Sequence, residues 1–481
     1  MKPFIRPISV LALAGVLSAC ASISGQTRTG LPTGLTGVLA ADGSATGARQ
    51  TAPGQVRVDD LAGWWRGFND PQLTALVMQA LQANTGVLSA QAALLQARAL
   101  RDVKVAATGP SVSASASGQR NQAHGNGSNL FQAGMDASWE TDLFGANASA
   151  RDAAQADAQA AQASLAAVQV SLAAEVALTY LDLRSQQARL AIARDSLAAQ
   201  QETLQITRWR VQAGLATSLD QEQGVAASEQ TAAQLPALQT GLLQAMHALA
   251  VLTGQSPGAL TTALDAPRPL PQAPEGLAML LPADTLRQRP DVSAAEFRIR
   301  AALARVQQAD AQRLPSFRIS GTLGLRALTL GALTSGGSAL GSLLASVSMP
   351  VLDGGAAVAQ LHAQEAALTQ ARLAYQTSVL TALKDVEDAL VSLQGNRERL
   401  MRLTTAVTAA GNADLMARQR FEGGLIDYRV VLDAQRTLLA SQDSLESTRA
   451  ALSADHVRLY KALGGGWTPD PDLASAHDPA R

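Results

Sequence analysis

Side chains suited to catalysis or metal binding are few and scattered in this chain of 481 residues. No two histidines lie four residues apart, and no second cysteine exists to complete a zinc site. The five histidines are His124, His247, His362, His456 and His477. Neither a Gly-Lys-Ser/Thr phosphate loop nor a Gly-x-Ser-x-Gly elbow occurs, and acidic pairs such as Asp385 with Asp388 fit a charged helix face. The sequence therefore predicts a protein that is not an enzyme and holds no metal.

Cys20, the single cysteine, is the exception. It follows a basic start, a short apolar run and Leu17-Ser18-Ala19, a pattern that resembles the lipobox of bacterial lipoproteins. By that resemblance its thiol receives diacylglycerol and its new amino group an acyl chain, and Ala21 favours delivery to the outer membrane. We expect residues 1–19 to be a lipoprotein signal peptide and 20–60 a lipid-anchored flexible tether. The alternative is a plain signal peptide with a chance cysteine.

The composition excludes further classes of protein. Hydrophobic residues make up 47% of the chain but aromatic residues only 3%, so small aliphatic side chains must fill its interior. The net charge of -1 and the lack of a basic stripe exclude nucleic-acid binding. We expect no later stretch to reach the roughly 18 apolar residues of a membrane-spanning helix, which leaves strands as the means of spanning a bilayer.

Two pairs of segments alternate apolar with polar or small residues, as strands with two different faces do. The first pair is predicted at about 110–119 and 130–141, with a Gly/Asn-rich loop at 121–129 between them. The second pair is predicted at about 316–325 and 340–350. Such strands are typical of outer-membrane barrels, although a hairpin over a soluble core would show the same alternation.

A very long helix is predicted after each strand pair, at about 146–212 and 355–422, because both stretches lack proline and contain almost no glycine. At 1.5 Å per residue, each would extend roughly 100 Å, far beyond the length of ordinary globular helices. Alanine-rich faces let neighbouring helices approach closely on both sides. The sequence therefore predicts a wall of helices.

The two halves of the chain repeat each other at an offset of 210 residues. The segment from Arg210 to Leu215 corresponds at this offset to the segment from Arg420 to Leu425. Gly214 and Gly424 follow arginine-bearing helix ends, as C′ glycines do, and are predicted as hairpin tips far from the strands. The predicted units are a first repeat at 61–254 with a returning helix to 253, a second repeat at 255–464 with a returning helix to 462, and a tail at 465–481.

Four amphipathic strands cannot close a barrel by themselves, because the edges of a sheet are not tolerated in lipid and the smallest membrane barrels have about eight strands. Two copies would give a barrel filled by its own side chains, whereas three would leave a lumen. The sequence favours an oligomer, and a trimer is compatible with it.

Several short motifs follow one another along the mature chain. They are Trp64-Trp65, Asp70-Pro71-Gln72-Leu73, Ser138-Trp139-Glu140-Thr141-Asp142-Leu143-Phe144-Gly145, Arg289-Pro290-Asp291-Val292, Ala294-Ala295-Glu296, Met349-Pro350-Val351-Leu352-Asp353-Gly354-Gly355, Val431-Leu432-Asp433-Ala434-Gln435-Arg436 and Leu459-Tyr460-Lys461-Ala462-Leu463-Gly464-Gly465-Gly466-Trp467. Their order and spacing resemble the TolC-like outer-membrane factors, in the lipoprotein branch of NodT- and OprM-like proteins that serve resistance-nodulation-division efflux pumps.

The resemblance implies a mixed α and β fold, built as a homotrimer with four strands per chain. A 12-stranded transmembrane β-barrel would continue into a 12-helix periplasmic α-helical barrel, with an internal duplication and an equatorial domain formed from about 61–107, 255–290 and the tail. It also implies partners: outer-membrane lipid, a periplasmic adaptor protein, and an inner-membrane resistance-nodulation-division transporter.

The resemblance further implies a periplasmic gate just beyond the second tip, where an acidic residue from three chains forms a ring that can be latched by arginine. The residues that match are Asp433 for the ring, with Arg420, Asp427, Tyr428 and Arg436 as neighbours. The adaptor would dock on the tips, at Gly214 and Leu215 and at Gly424 and Leu425. Two positions depart from the family: Phe421 replaces a common tyrosine, and Arg429 replaces a common apolar residue.

Together, these features predict the outer-membrane channel of a tripartite efflux pump, which passively conducts drugs or other small toxic compounds. Two alternatives remain open from the sequence: the exit duct of a type I protein secretion system, and a non-channel coiled-coil surface lipoprotein.

Overall fold

A computed structural model describes residues 62–123, 126–273 and 288–465. The predicted signal peptide, the tether with Cys20, His124 and almost all of the predicted tail lie outside these residues. Part of the proline-rich segment assigned to the equatorial domain, at 274–287, also lies outside them.

The described chain begins with a short 3-10 helix, Trp64–Phe68, followed by α1 at Pro71–Ala83 and α2 at Thr85–Ala106. Asp70 caps α1, since its carboxylate accepts hydrogen bonds from the backbone amides of residues 72 and 73 at 2.7 and 3.1 Å. Asn84 caps α2 in the same way.

The four strands form one antiparallel sheet in the order β1-β2-β3-β4, with β1 at Ser111–Ala123, β2 at Asn126–Thr141, β3 at Ser316–Ala327 and β4 at Ala339–Ser348. The predicted loop at 121–129 is wrong in extent, because Asn121 pairs with Ser128 and the ladder continues to Ala123 and Asn126. Polar residues extend the strands here, because cross-strand pairing outweighs the low strand propensity of Asn and Gly.

The strand register places apolar and polar side chains on opposite faces of the sheet. The apolar face includes Val112, Met135, Trp139, Ile319, Leu323, Leu343 and Val347. The polar face carries mostly serine, threonine and charged residues, with an ion pair of 3.2 Å between Arg318 and Glu140. Leu323 and Leu343 are 71% and 82% exposed in the single chain. An apolar face this open requires a cover.

Gly134 and Gly324 pair directly between β2 and β3 on the polar face. A Cβ atom on Gly324 would lie 2.6 Å from the carbonyl oxygen of Ala133. A side chain at Gly324 would therefore collide with the backbone of β2, so the pair of glycines permits close approach of the two strands at this point.

The two long helices, α3 at Ala146–Gln212 and α7 at Ala356–Glu422, have 67 residues each and start 210 residues apart. Each follows a glycine in the left-handed region, Gly145 with φ 79° and Gly355 with φ 88°. These boundaries agree with the predicted 146–212 and differ by one residue from the predicted 355–422.

The remaining helices are α4 at Ser218–Ala232, α5 at Gln234–Leu252, α6 at Pro290–Ala311 and α8 at Tyr428–Ala462, with a single helical turn at Thr261–Leu264. The first returning helix, predicted to residue 253, extends from Ser218 to Leu252 with a one-residue interruption at Ala233, whose backbone stays in the α region with φ -65° and ψ -18°. Pro236 explains the break: it has no backbone N–H and is tolerated only in the first turn of a helix. The second returning helix, α8, is continuous to residue 462 as predicted.

The helices lie side by side, with different neighbours at the two ends of α3 and α7. Beside the sheet, the order across the layer is α2, α3, α6, α7. Toward the tips, α3 lies between α8 and the returning pair α4–α5, and α8 lies between α3 and α7. In the single chain α3 buries 24 residues but α7 only nine. The helix α7 is thus an edge helix along its whole length.

Two stretches, 146–212 and 218–252, contain windows long and apolar enough to cross a membrane by length and composition alone. Our expectation that no such stretch follows the leader is therefore wrong. Alanine supplies much of this apolar character without bulk, and half of the window in α3 is buried within the chain.

A buried polar hub joins the middle of α3 to the amino-terminal helices. Arg184, fully buried, donates to Gln72 Oε1 at 2.5 Å and to the carbonyl of Ala266 at 3.1 Å. The Tyr180 hydroxyl donates to Asp70 Oδ2 at 2.7 Å. Burial, reinforced by this bond, raises the pKa of Tyr180 to about 12.

A second group of contacts holds the start of α6 against the end of α8. Arg289 donates to the carbonyl of Ala462 at 3.0 Å and pairs with Asp291 at 2.8 Å and Asp385 at 3.2 Å. Apolar packing joins the same region to the amino terminus, since Trp64 stacks on Tyr460 with ring centres 5.3 Å apart.

Candidate functional site

Both long helices end in the same turn, at the end of the molecule away from the sheet. Gly214 and Gly424 adopt φ of 75° and 73°, a conformation that glycine tolerates best at the C′ position. In each tip the following leucine donates its N–H to the carbonyl five residues earlier, at 2.7 Å in the first and 2.9 Å in the second. Leu215 and Leu425 are left 78% and 76% exposed. Each tip therefore exposes one leucine side chain.

Arg210 joins the ends of the two long helices within one chain. Its Nη2 donates to the carbonyl oxygens of Phe421 at 2.6 Å and Glu422 at 2.9 Å. The guanidinium lies 4.2 Å from the centre of the Phe421 ring. It thus supplies donors and positive charge to the carboxyl end of α7, where the helix has free carbonyls.

An apolar cluster lies directly behind the second tip. Phe421 and Tyr428 are 3% exposed, with ring centres 5.5 Å apart, and pack with Ala417, Val431 and Leu432. Phe421 stands where tyrosine was expected from the family, and its ring packs without a polar group. Tyr428 is therefore part of the apolar interior of the single chain.

The Tyr428 hydroxyl is buried against α4 and makes no hydrogen bond of normal geometry among the described residues. A Cβ atom on Gly224 would lie only 2.6 Å from this oxygen and 2.8 Å from Leu204 Cδ1. Burial raises the pKa of Tyr428, partly offset by the facing hydroxyl of Thr207. Tyr428 thus packs α8 against α3 and α4, and this packing requires a glycine at position 224.

The four charged residues predicted for the gate have a different environment from Tyr428. Asp427, Arg420, Asp433 and Arg436 are all exposed. Within the described residues, none of these four side chains takes part in a salt bridge. Asp433 and Arg436 lie three residues apart on the open side of α8, together with Arg429. The structure therefore brings the predicted charges to one end of the molecule without pairing them within a chain.

A buried polar layer lies one helical turn from the apolar cluster, farther from the tips. Gln435 is 4% exposed and donates to Thr203 Oγ1 at 3.1 Å, and the nearly buried Asp414 pairs with Arg418. Gln435 Oε1 and Asp414 Oδ1 have no hydrogen-bond partner in the described part of the chain. Unpaired buried oxygens destabilise the packing of α8 on its neighbours.

Among the described residues, no three histidine, cysteine, aspartate or glutamate side chains gather as metal ligands. The site consists of packed helix ends, exposed charges and exposed leucines, which suits contact between chains and passage of solute.

The model of the family described as outer membrane efflux protein matches residues 76–255 and 281–465. The chain belongs to this family. Outer membrane protein OprJ of Pseudomonas aeruginosa is 29% identical over 477 residues, with 96% of each chain covered. The toluene efflux pump outer membrane protein TtgF of Pseudomonas putida is 30% identical, covering 86% of this chain and 87% of its own. The solved outer-membrane channel OprN superposes with a TM-score of 0.81 at 34% identity, over 89% of this chain and all of that one.

This membership confirms the predicted family, the localisation to the outer membrane and a role in efflux. It removes the alternative of a non-channel coiled-coil surface lipoprotein. The mixed α and β fold with four strands per chain is confirmed as well.

Several residues of the site were missed by the sequence analysis. Gly224, Arg210, Asp414 and Gln435 all lie inside helices, where the sequence offers only a polar or small residue in an alanine-rich pattern. The offset of 210 residues pairs Arg210 with Arg420, so the repeat contained a signal for the first of them.

Proposed function

We propose that this protein is the outer-membrane channel of a tripartite efflux pump, which passively conducts drugs or other small toxic compounds to the exterior. The chain would act as a homotrimer, with a 12-stranded barrel in the membrane and a 12-helix tunnel in the periplasm. The sequence contains no Gly-Lys-Ser/Thr phosphate loop, and transport energy would come from a partner.

The observation that supports this proposal most directly is that the single chain has an open edge in its sheet and in its helix layer. Strands β1 and β4 each pair on one side only. The helix α7 buries nine of its 67 residues. Open strand edges in lipid leave backbone groups unpaired at a cost of several kcal/mol each. Other copies of the chain, side by side in a closed ring, would pair every edge.

Three copies fit this requirement better than two. Two copies would give about eight strands, and a barrel of that size is filled by its own side chains. The polar face of the sheet carries the ion pair of Arg318 with Glu140 and the directly paired Gly134 and Gly324. A ring of three copies would turn this face toward a water-filled lumen and the apolar face toward lipid.

The proposed partners are supported by the family and by the exposed tips of the molecule. OprJ and TtgF are named as outer membrane proteins, and TtgF as part of a toluene efflux pump. We assign an adaptor protein to the exposed tips at Gly214 with Leu215 and Gly424 with Leu425, and an inner-membrane resistance-nodulation-division transporter beyond it. Lipid on Cys20 would hold the amino terminus at the outer membrane.

The gate is assigned to Asp433, with Arg420, Asp427 and Arg436 as the charged groups around it. Asp433 is exposed in the single chain, and three copies around an axis would bring three carboxylates together. Tyr428, the remaining gate neighbour, would tie α8 to α3 and α4 from inside the helix layer. Each chain has two pairs of one long and one returning helix. A trimer would therefore place six related helix pairs around the gate.

Membrane extraction and conductance test the proposal together. Purified from outer membranes, the protein should migrate on gels as a trimer unless heated, and should form ion-conducting channels in planar lipid bilayers. A monomer that is only tethered to the membrane, or a trimer without conductance, would contradict it. Export of a folded or unfolded protein substrate by whole cells would instead support the secretion alternative.

A further inference from the structure

The contact made by Arg210 within one chain has an unoccupied equivalent on the other long helix. At the offset of 210 residues, Arg420 corresponds to Arg210, and Val211 and Gln212 correspond to Phe421 and Glu422. Arg210 is half-buried and caps the carboxyl end of α7, whereas Arg420 is exposed. No described side chain donates to the carbonyls of Val211 or Gln212. One chain therefore contains one occupied cap, one free arginine and one free helix end.

The backbone of the two helix ends is the same in detail. The glycine N–H donates to the carbonyl three residues earlier at 3.0 Å in the first tip and 2.9 Å in the second. The residue before each glycine donates to the carbonyl four residues earlier at 3.0 and 3.1 Å. The carbonyls that Arg210 reaches on α7 thus have matching acceptors at the end of α3.

The order of the helices determines which long-helix end each of the two arginines can reach. Toward the tips the order is α4–α5, α3, α8, α7, so a repeat unit of one long and one returning helix occurs twice. Arg210 reaches from the long helix of the first unit to the long helix of the second. In a closed ring, the unit that follows α7 would be the first unit of the next copy, and the offset of 210 residues relates Arg420 to that unit as Arg210 is related to α7.

We propose that Arg420 caps the carboxyl end of α3 in the neighbouring copy, by donating to the carbonyls of Val211 and Gln212 of the partner subunit. This proposal rests on the oligomeric channel proposed above. A trimer would then contain six contacts between an arginine and the end of a long helix. Three would be made by Arg210 within a chain, and three by Arg420 between chains.

The two kinds of junction are not equal in composition. Arg210 lies over the ring of Phe421, but the residue that corresponds to Phe421 in the other junction is Val211. Arg420 therefore has carbonyls to bind but no aromatic face to lie on. The junctions between chains are the weaker set, so the tunnel mouth separates along them first.

Crosslinking of cysteine pairs tests the contact in the full-length protein. Arg420→Cys combined with Gln212→Cys should link chains into covalent dimers and trimers with a short bismaleimide. The matched pair, Arg210→Cys with Glu422→Cys, should react within a chain and leave the denatured protein monomeric. Single-cysteine variants give the background. If the matched pair reacts and the first pair never links chains of a trimeric protein, the contact is overturned.

The trimer itself is measured separately, as the native mass of the wild-type protein in detergent. A monomeric mass would overturn the proposed channel, whereas a trimeric mass without the crosslink overturns only the Arg420 contact. A second experiment uses Val211→Phe, which supplies the missing ring. This variant should raise the temperature at which the trimer dissociates, and the rise should disappear when Arg420→Ala is added. An equal rise in both backgrounds would contradict the assignment.

Discussion

The hydroxyl of Tyr428 occupies the space that any side chain at Gly224 would need, since a Cβ atom there would lie 2.6 Å from the phenolic oxygen. The tyrosine ring is 3% exposed and cannot swing aside without opening the cluster around it. The packing of α8 on α4 therefore depends on the large side chain of Tyr428 and on the lack of a side chain at Gly224.

Replacing Gly224 by alanine should destabilise the protein by about 1–3 kcal/mol through overpacking, which outweighs the gain of about 1 kcal/mol in helix propensity. Thermal unfolding followed by circular dichroism measures the change. Gly395→Ala is the matched control within a helix, because a Cβ there has no neighbour within 4 Å, and it should be neutral or stabilising. Equal stabilisation by both substitutions would show that Tyr428 is not held in place.

Removal of the Asp433 carboxylate should open the channel mouth. The side chain is exposed and forms no salt bridge in the described chain, so Asp433→Ala leaves no buried charge behind and should not unfold the protein. We expect higher single-channel conductance in planar bilayers and greater passive entry of antibiotics into cells. Asp195→Ala, at another exposed position on a long helix, should leave both unchanged. Conductance equal to that of the wild type would place the gate elsewhere.

Tyr180→Phe should make stability less sensitive to alkaline pH. Because burial raises the pKa of Tyr180 to about 12 in the folded chain, its contribution is complete below the ordinary tyrosine pKa of about 10. It is lost as the pH rises from about 10 through 12. The variant should lose about 1 kcal/mol near neutral pH, the net value of one hydrogen bond.

The measurement for Tyr180 is the melting temperature from pH 8 to pH 12. The wild-type value should fall more steeply above pH 10 than that of Tyr180→Phe, and Tyr428 titrates alike in both proteins. Parallel curves would mean that Tyr180 ionises as an ordinary tyrosine.

Gln435→Leu should leave stability unchanged or raise it. The substitution keeps the buried volume similar and removes an amide oxygen with no partner, while Thr203 still donates to the carbonyl of Ala199 at 2.8 Å. Gln435→Ala leaves a cavity instead and should cost about 2 kcal/mol. Chemical denaturation of both variants decides this, and a strong loss in the leucine variant would indicate that the amide has a polar partner in the assembled protein.

Cys20→Ala should abolish acylation of the amino terminus. Labelled palmitate should enter the wild-type protein and not the variant, and the mass of the amino-terminal peptide should confirm the lipid. Ala21→Asp provides the control: it should keep the label and change the membrane in which the protein is found. Label in the cysteine-free variant would contradict lipidation at this residue.

The parts of the fold that the sequence predicted are those that depend on local periodicity. The boundaries of α3 follow from the absence of proline between Ala146 and Gln212 and from the glycines on either side. The alternation of Phe317 and Ile319 with serine and arginine likewise marks β3. The hairpin end at 121–129 was mistaken for a loop because its pairing partners, not its residue types, make it a strand.

The site was less predictable, because it depends on contacts between distant parts of the chain. Tyr428 was placed beside the gate from a motif, and only the structure shows that its surroundings include Gly224 and Leu204 from other helices. The role of Arg210 is visible only when the end of α7 is placed beside it. By contrast, the exposure of Asp433 and Arg436 could be expected from their spacing on one face of an amphipathic helix.

The equal lengths of α3 and α7 limit the way in which this protein can change. One residue inserted into either helix would turn every later side chain by about 100° around the axis and advance it by about 1.5 Å. The tip of that helix would then be displaced along the helix axis relative to the other tip. Arg210 would no longer reach the carbonyls at the end of α7. Insertions and deletions should therefore be accepted only as matched events in both halves, while single substitutions at exposed positions of the same helices leave the level of the tips unchanged.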